Sequence, residues 1–223
     1  MTTVSDFEVS TSFNEDNPAI DLCAVEDFDS MYDEIFTGLF GGIKHIKVGD
    51  VVISKESLKT LYYPLKVNAA VLKILLTAHN DVLEYGVSSG NERVVVVDKE
   101  SGRIVDDQTG TPTSVSFYVP PKYKGEIITI HNHPSSYTFS PKDLYTLNDV
   151  GQIRCSVVQG HDGSLHYLEK VRKVKYNLPE THFQVSLDNI LKNPEHKAKT
   201  FEEKLKVFVE LSAEQLNLIY VRR

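Results

Sequence analysis

One stretch constrains this chain more than any other: Glu126 to Asp143, EIITIHNHPSSYTFSPKD. Ile127-Ile128-Thr129-Ile130 is apolar and β-branched enough to be a strand buried on both faces. Side chains alternate along a strand, so His131 and His133 share one face and Asn132 takes the other. Pro134 has no N–H to donate and stops the ladder. Ser140-Pro141-Lys142-Asp143 then reads as a helix start, with Ser at the N-cap and Pro at the first helical position. Asp143 falls in the first turn, close to Ser140. Two imidazoles at a strand end and one carboxylate at the next helix start make three ligands with a fourth position open. A catalytic zinc uses that arrangement, with a water in the open place.

Each residue has a plainer explanation when taken alone. Ser140 and Asp143 suit a helix N-terminus with no metal, since an acid there complements the dipole. A His-x-His pair can simply pack at a strand end. The four together, in a strand–loop–helix setting, point to a metal site.

The pattern His-x-His-Pro, five residues, then Ser-x-x-Asp resembles the motif of the JAMM (MPN, or JAB-domain) metalloproteases. HNHPSS followed by FSPKD is most similar to the RadC-like and phage-associated bacterial branches. The resemblance spans about Val67 to Lys170. It implies a zinc held by His131, His133 and Asp143, an oxyanion stabilised by Ser140, and a glutamate general base upstream in the chain. It also implies an α+β fold, three-layer and α/β/α-like, on a mixed sheet of the cytidine-deaminase-like type. In the family the base stands at the start of a strand that follows a helix. Glu84 meets that description within Val82–Val87, read as a strand, with Gly86 and Gly90 after it. Glu92 competes, but its Ser-Gly-Asn surroundings read as a loop in which an exposed charge is ordinary. The implied reaction is zinc-dependent hydrolysis of an amide or isopeptide bond in a peptide or protein, including a ubiquitin-like tail. Two alternatives stand beside it: a non-catalytic, metal-stabilised interaction or phage-structural module, and a RadC-like protein linked to DNA repair. A zinc deaminase is set aside, because no Pro-Cys-x-x-Cys completes its site.

Composition supports a compact protein. The 223 residues suffice for one substantial core, and 41% hydrophobic with 25% charged residues is ordinary for a soluble domain. No apolar run reaches the length of a membrane span, and the first residues lack a signal peptide's character. Cys23 and Cys155 are far apart, which argues against a disulfide framework or a Cys-based zinc site and fits a cytoplasmic location. The net charge of −7 is uneven: ten Asp and Glu precede the first basic residue, Lys44. The remaining 24 basic and 21 acidic residues leave no electrostatic footprint for nucleic acid.

Three regions follow. Residues 1–66 form an acidic N-terminal segment carrying an amphipathic helix from Phe28 to Leu39, a strand or hairpin from Ile43 to Ile53, and a helical turn from Ser57 to Tyr63. Residues 67–172 hold the JAMM-like domain. A helix from Val67 to Ala78 is ended by His79-Asn80-Asp81. The Val82–Val87 strand comes next, then a hairpin of RVVVVD and RIV, a strand from Ser114 to Val119, the His-bearing strand, a helix from Pro141, and a hairpin of Ile153–Gln159 with Ser164–Glu169. His161 reads as a solvent-facing loop residue and His166 as a surface strand position. Residues 173–223 form a helical extension, with a short helix at Ser186–Leu191 and a longer one opened by the capping box Thr200-x-x-Glu203 and running to about Leu218.

Overall fold

A computed structural model describes residues 53, 55–171 and 178–223. The Phe28–Leu39 helix and nearly all of the Ile43–Ile53 strand or hairpin lie outside the described residues. In chain order the elements are α1 (Lys55–Leu61), a 3-10 turn (Tyr63–Leu65), α2 (Ala69–Ser89), β1 (Arg93–Asp98), β2 (Ile104–Thr109), β3 (Ile127–His133) and α3 (Pro141–Asp149). There follow β4 (Ile153–Gly160), β5 (Leu165–Lys170), α4 (Glu180–Lys192), a 3-10 turn (Pro194–His196), α5 (Phe201–Leu216) and β6 (Leu218–Arg222). The result is a mixed α+β protein built on one six-stranded sheet, ordered β2-β1-β3-β4-β5-β6. All neighbours are antiparallel except β3 and β4, which run parallel and are joined by α3.

Helices cover both faces. On the first, α1 and α2 bury Leu58, Leu61, Val71 and Leu75 against Val95, Val97, Ile128, Ile130 and Val157. On the second, Leu144, Leu147, Leu187, Leu205 and Phe208 of α3, α4 and α5 pack on Val94, Val96, Ile127, Val158 and Leu168. Every residue of β3 is buried, as expected of a central strand. Its alternation puts Ile128 and Ile130 on the first face and Ile127 on the second, so Thr129, His131 and His133 share that second face.

Four expectations need correction. The stretch Val82–Val87 is not a strand: α2 continues through it to Ser89, and His79 lies buried within the helix instead of ending it. The buried stripe Val71, Leu75, Ala78, Val82 and Gly86 keeps helical spacing throughout, and Asn80 and Asp81 ride on its outer side. The stop comes at Gly90, whose φ of 76° only glycine adopts without strain. Ser114–Val119 is extended but joins no ladder; the Tyr118 N–H donates to Asp106 Oδ2, and Val115, Phe117 and Val119 lie on the second-face core.

Helix α5 ends at Leu216, close to its expected end, and after Asn217 in the left-handed region the chain adds β6 to β5. The C-terminal stretch, expected as a helical extension, thereby supplies the sheet's sixth strand. His161 and His166 are the fourth correction, with 1% and 2% of their surface exposed. The two expected hairpins are present as β1–β2 and β4–β5, and both capping boxes form, at Ser140/Asp143 and Thr200/Glu203. Among the described residues, no helix is long and apolar enough to cross a membrane.

Candidate metal centre

The centre lies where β3 ends and α3 begins, at the carboxyl end of the parallel pair. Ser140 caps α3: its Oγ accepts from the Asp143 N–H at 3.2 Å, and the Asp143 carboxylate accepts from the Ser140 N–H at 2.7 Å. Phe139, Leu144 and Leu147 anchor that turn in the core. The capping box therefore fixes the carboxylate under the two imidazoles that alternation delivers from β3.

The three groups converge. His131 Nε2 and His133 Nε2 are 3.2 Å apart, His131 Nε2 is 3.3 Å from Asp143 Oδ1, and His133 Nε2 is 3.4 Å from Asp143 Oδ2. An ion bound tetrahedrally with bonds of about 2.0–2.1 Å separates its ligand atoms by about 3.3–3.4 Å. The cluster comes close to that spacing, with the two imidazoles facing different oxygens of the Asp143 carboxylate. His133 Nδ1 lies 3.1 Å from the Tyr137 carbonyl, which can only accept, so Nδ1 carries the proton and Nε2 presents a bare lone pair. Burial pushes the His133 imidazole down to about 4, against the pull of Asp143, and keeps it neutral and able to ligate. Burial alone would raise the Asp143 carboxyl, but His131, His133 and the Ser140 N–H hold it well below the usual carboxylate range. The His133 lone pair, the His131 Nε2 atom and a carboxylate gathered at one spot suit a cation there, and this donor set fits zinc.

Of the residues expected at the site, His131, His133, Asp143 and Ser140 line one cleft together, and Glu84 does not join them. Glu84 is exposed on α2, the helix covering the opposite face of the sheet. The carboxylate that does reach the cluster is Glu92, 6% exposed, with Oε1 3.9 Å from His133 Nε2. Register explains this: Val94 pairs with His131 in antiparallel β1–β3, so two residues back Glu92 comes opposite His133 on the same face. Its backbone is pinned as well, Glu92 N to Thr111 O and Gly110 N to Glu92 O, each at 2.8 Å.

Asn132, from the other face of β3, clamps both sides of Glu92. Its Oδ1 accepts from the Arg93 N–H at 2.8 Å, and its Nδ2 donates to the Asn91 carbonyl at 2.9 Å. The same Nδ2 lies 2.9 Å from His161 Nε2. Gly86 makes room for this group: a Cβ there would sit 2.3 Å from Asn132 Nδ2. The one sequence signal for Glu92 was its position directly before a strand of four valines that follows a helix.

Ser140 Oγ donates to Asp143 Oδ2 at 2.8 Å, so its hydroxyl holds the carboxylate in place. Beyond the cluster the cleft continues between the sheet and the helices, past Val94, Phe117, Leu147, Leu187 and Leu205.

No protein-family model, curated protein or solved structure matches this chain.

Proposed function

We propose that the protein is a zinc-dependent hydrolase of amide bonds, peptide or isopeptide, of the JAMM type. The observation that carries this reading is the convergence of His131, His133 and Asp143 at 3.2–3.4 Å with buried Glu92 beside them. Zinc held by these ligands would polarise the scissile carbonyl and lower the pKa of a bound water to about 7. Glu92 takes the proton from the attacking water and returns it to the leaving amine as the carbon–nitrogen bond breaks. The small exposure of Glu92 keeps bulk water from competing for that proton. Asn132 holds the backbone on both sides of Glu92, fixing the distance over which the proton moves. Ser140 stabilises the oxyanion when its hydroxyl turns from Asp143 Oδ2 to the substrate oxygen; the Ser140 N–H keeps the carboxylate in place meanwhile. Glu92 replaces Glu84 in the role of base.

The test is metal content by elemental analysis beside hydrolysis of a mixed peptide library, for wild type and Glu92→Gln. The expected result is one zinc per chain in both proteins and cleavage by wild type alone. Absence of stoichiometric metal after reconstitution and desalting would overturn the reading. Zinc without cleavage of any library member would instead favour a metal-stabilised interaction module.

A further inference from the structure

The second face has a gap in its packing, and the gap begins at the metal cluster. Thr129 on β3 and Ser156 on β4 are register partners, and both line the cleft. Their hydroxyls bond to each other, Thr129 Oγ1 donating to Ser156 Oγ at 2.9 Å. Elsewhere on this face the same two strands carry Ile127 and Val158, which fill the space up to the helices. At the Thr129–Ser156 pair two small side chains stand where a packed core would hold two large ones. The opposing surfaces do not close the space: Leu147 of α3, Leu187 of α4 and Leu205 of α5 line it, as does Phe117 of the Ser114–Val119 segment. A mainly apolar chamber thus runs inward from His131 and Asp143, with Lys142, Glu180 and Gln184 also on the cleft's lining. Such a space costs a folded protein contacts that two larger residues would restore.

We infer that this chamber receives a bulky apolar side chain, leucine- or phenylalanine-sized, of the residue flanking the scissile amide. The inference rests on the proposed zinc hydrolase and narrows its substrate class. A Gly-Gly tail would leave the chamber empty, whereas a large apolar residue gains its burial and draws the amide to the ligands. Recognition then lies in one side chain beside the bond and does not require a folded tail.

The experiment measures binding, so it is independent of turnover. Zinc-reconstituted protein is titrated with small hydroxamates bearing glycine, leucine or phenylalanine on either side of the metal-binding group. Burial of such a side chain predicts leucine and phenylalanine probes about 10- to 100-fold tighter than glycine in at least one series. Thr129→Leu and, as a milder filling, Ser156→Val should keep one zinc per chain and lose that preference. Equal or tighter binding of glycine, no hydroxamate binding to zinc-loaded protein, or a preference that persists in filled variants would overturn the chamber's role while leaving the metal centre standing. Failure to take up zinc at all would instead overturn the hydrolase reading, and this inference with it. The wild-type series decides the matter even if a filled variant does not fold.

Discussion

The two faces of the sheet use the same strands for opposite ends. Beneath α1 and α2, buried polar side chains form a series of contacts: Tyr62 OH meets His79 Nε2 at 2.8 Å, and His79 Nδ1 meets Gln159 Oε1 at 2.9 Å, which leaves Gln159 Nε2 as the one atom of this series without a partner. Around them Leu58, Val71, Leu75 and Val82 are fully buried. Beneath α3, α4 and α5, polar groups converge on a point and the apolar wall stands open beside them. A buried polar group costs stability unless it is paired, so pairing on the first face marks structure. Convergence without closure on the second marks a site. The same residue type shows the contrast: His79 has protein partners on both ring nitrogens, whereas His133 uses one nitrogen to set its orientation and aims the other into the cluster.

The comparison breaks most visibly in turnover. Glu92→Gln should keep zinc and lose about 10²- to 10⁴-fold in hydrolysis rate, while Glu84→Gln, across the sheet, should change neither. His133→Ala should remove stoichiometric zinc altogether, a larger loss than the roughly 10- to 100-fold that an outer partner costs. Parallel elemental analysis and rate measurement on the three variants decide this. Collapse of turnover in Glu84→Gln would reverse the assignment of the faces.

Stability should separate the faces next. Leu75→Ala empties a position packed on all sides and should cost about 2–5 kcal/mol in denaturant unfolding. Leu187 lines the cleft, so for Leu187→Ala a cost at the low end of that range, about 2 kcal/mol, is expected. Equal costs would mean that the chamber closes in solution.

Asn132 ties the faces together, since its backbone belongs to the strand that carries His131 and His133 and its side chain to the first face. Asn132→Ala should leave two part-buried backbone groups beside Glu92 without their partner and cost about 1–3 kcal/mol. Turnover should fall by about 10-fold with zinc retained, because Glu92 loses its clamp. A variant that is destabilised yet turns over normally would make Asn132 purely structural.

The part of the site that was legible in the sequence is the part that is local. Alternation along Ile127–His133 and the Ser140/Asp143 capping box each need only a few neighbouring residues, and together they placed four side chains. Glu92 was hidden because its burial comes from pairing between β1 and β3, whose register partners lie 29–37 residues apart. Glu84 was misplaced because His79-Asn80-Asp81 imitates a helix end: a cation and two turn formers stand where a C-terminus favours them. Burial of His79 between Tyr62 and Gln159 removes that reason to stop. The alternation of Ser114–Val119 was real, but it records packing on the second-face core and no strand partner. Strand β6 escaped because a helix signal ran up to it, and one left-handed residue, Asn217, separates the two.

The smallest expected effect is a pH slope. Burial pushes His79 down to about 4, against the raising effect of its bond to Gln159, whereas in the unfolded chain it returns to about 6.5. Between those values the unfolded chain binds a proton that the folded one refuses. Its contribution therefore leaves stability undiminished above about pH 6.5, lowers it as pH falls toward 4, and levels off below. From pH 7 to 5.5 the loss should be about 1 kcal/mol. His133 and His166 are also pushed down to about 4, so the wild-type slope is a sum, and only the difference from a variant isolates His79. His79→Gln changes the Tyr62 and Gln159 contacts by an amount that does not vary with pH, and it removes the titration. Its unfolding free energy should thus fall less steeply than that of wild type between pH 7 and 5.5, with and without zinc, because His79 stands on the face opposite the candidate metal centre. Parallel slopes for the two proteins would show that His79 is already protonated in the fold. A difference that appears only with zinc bound would show that the faces are coupled.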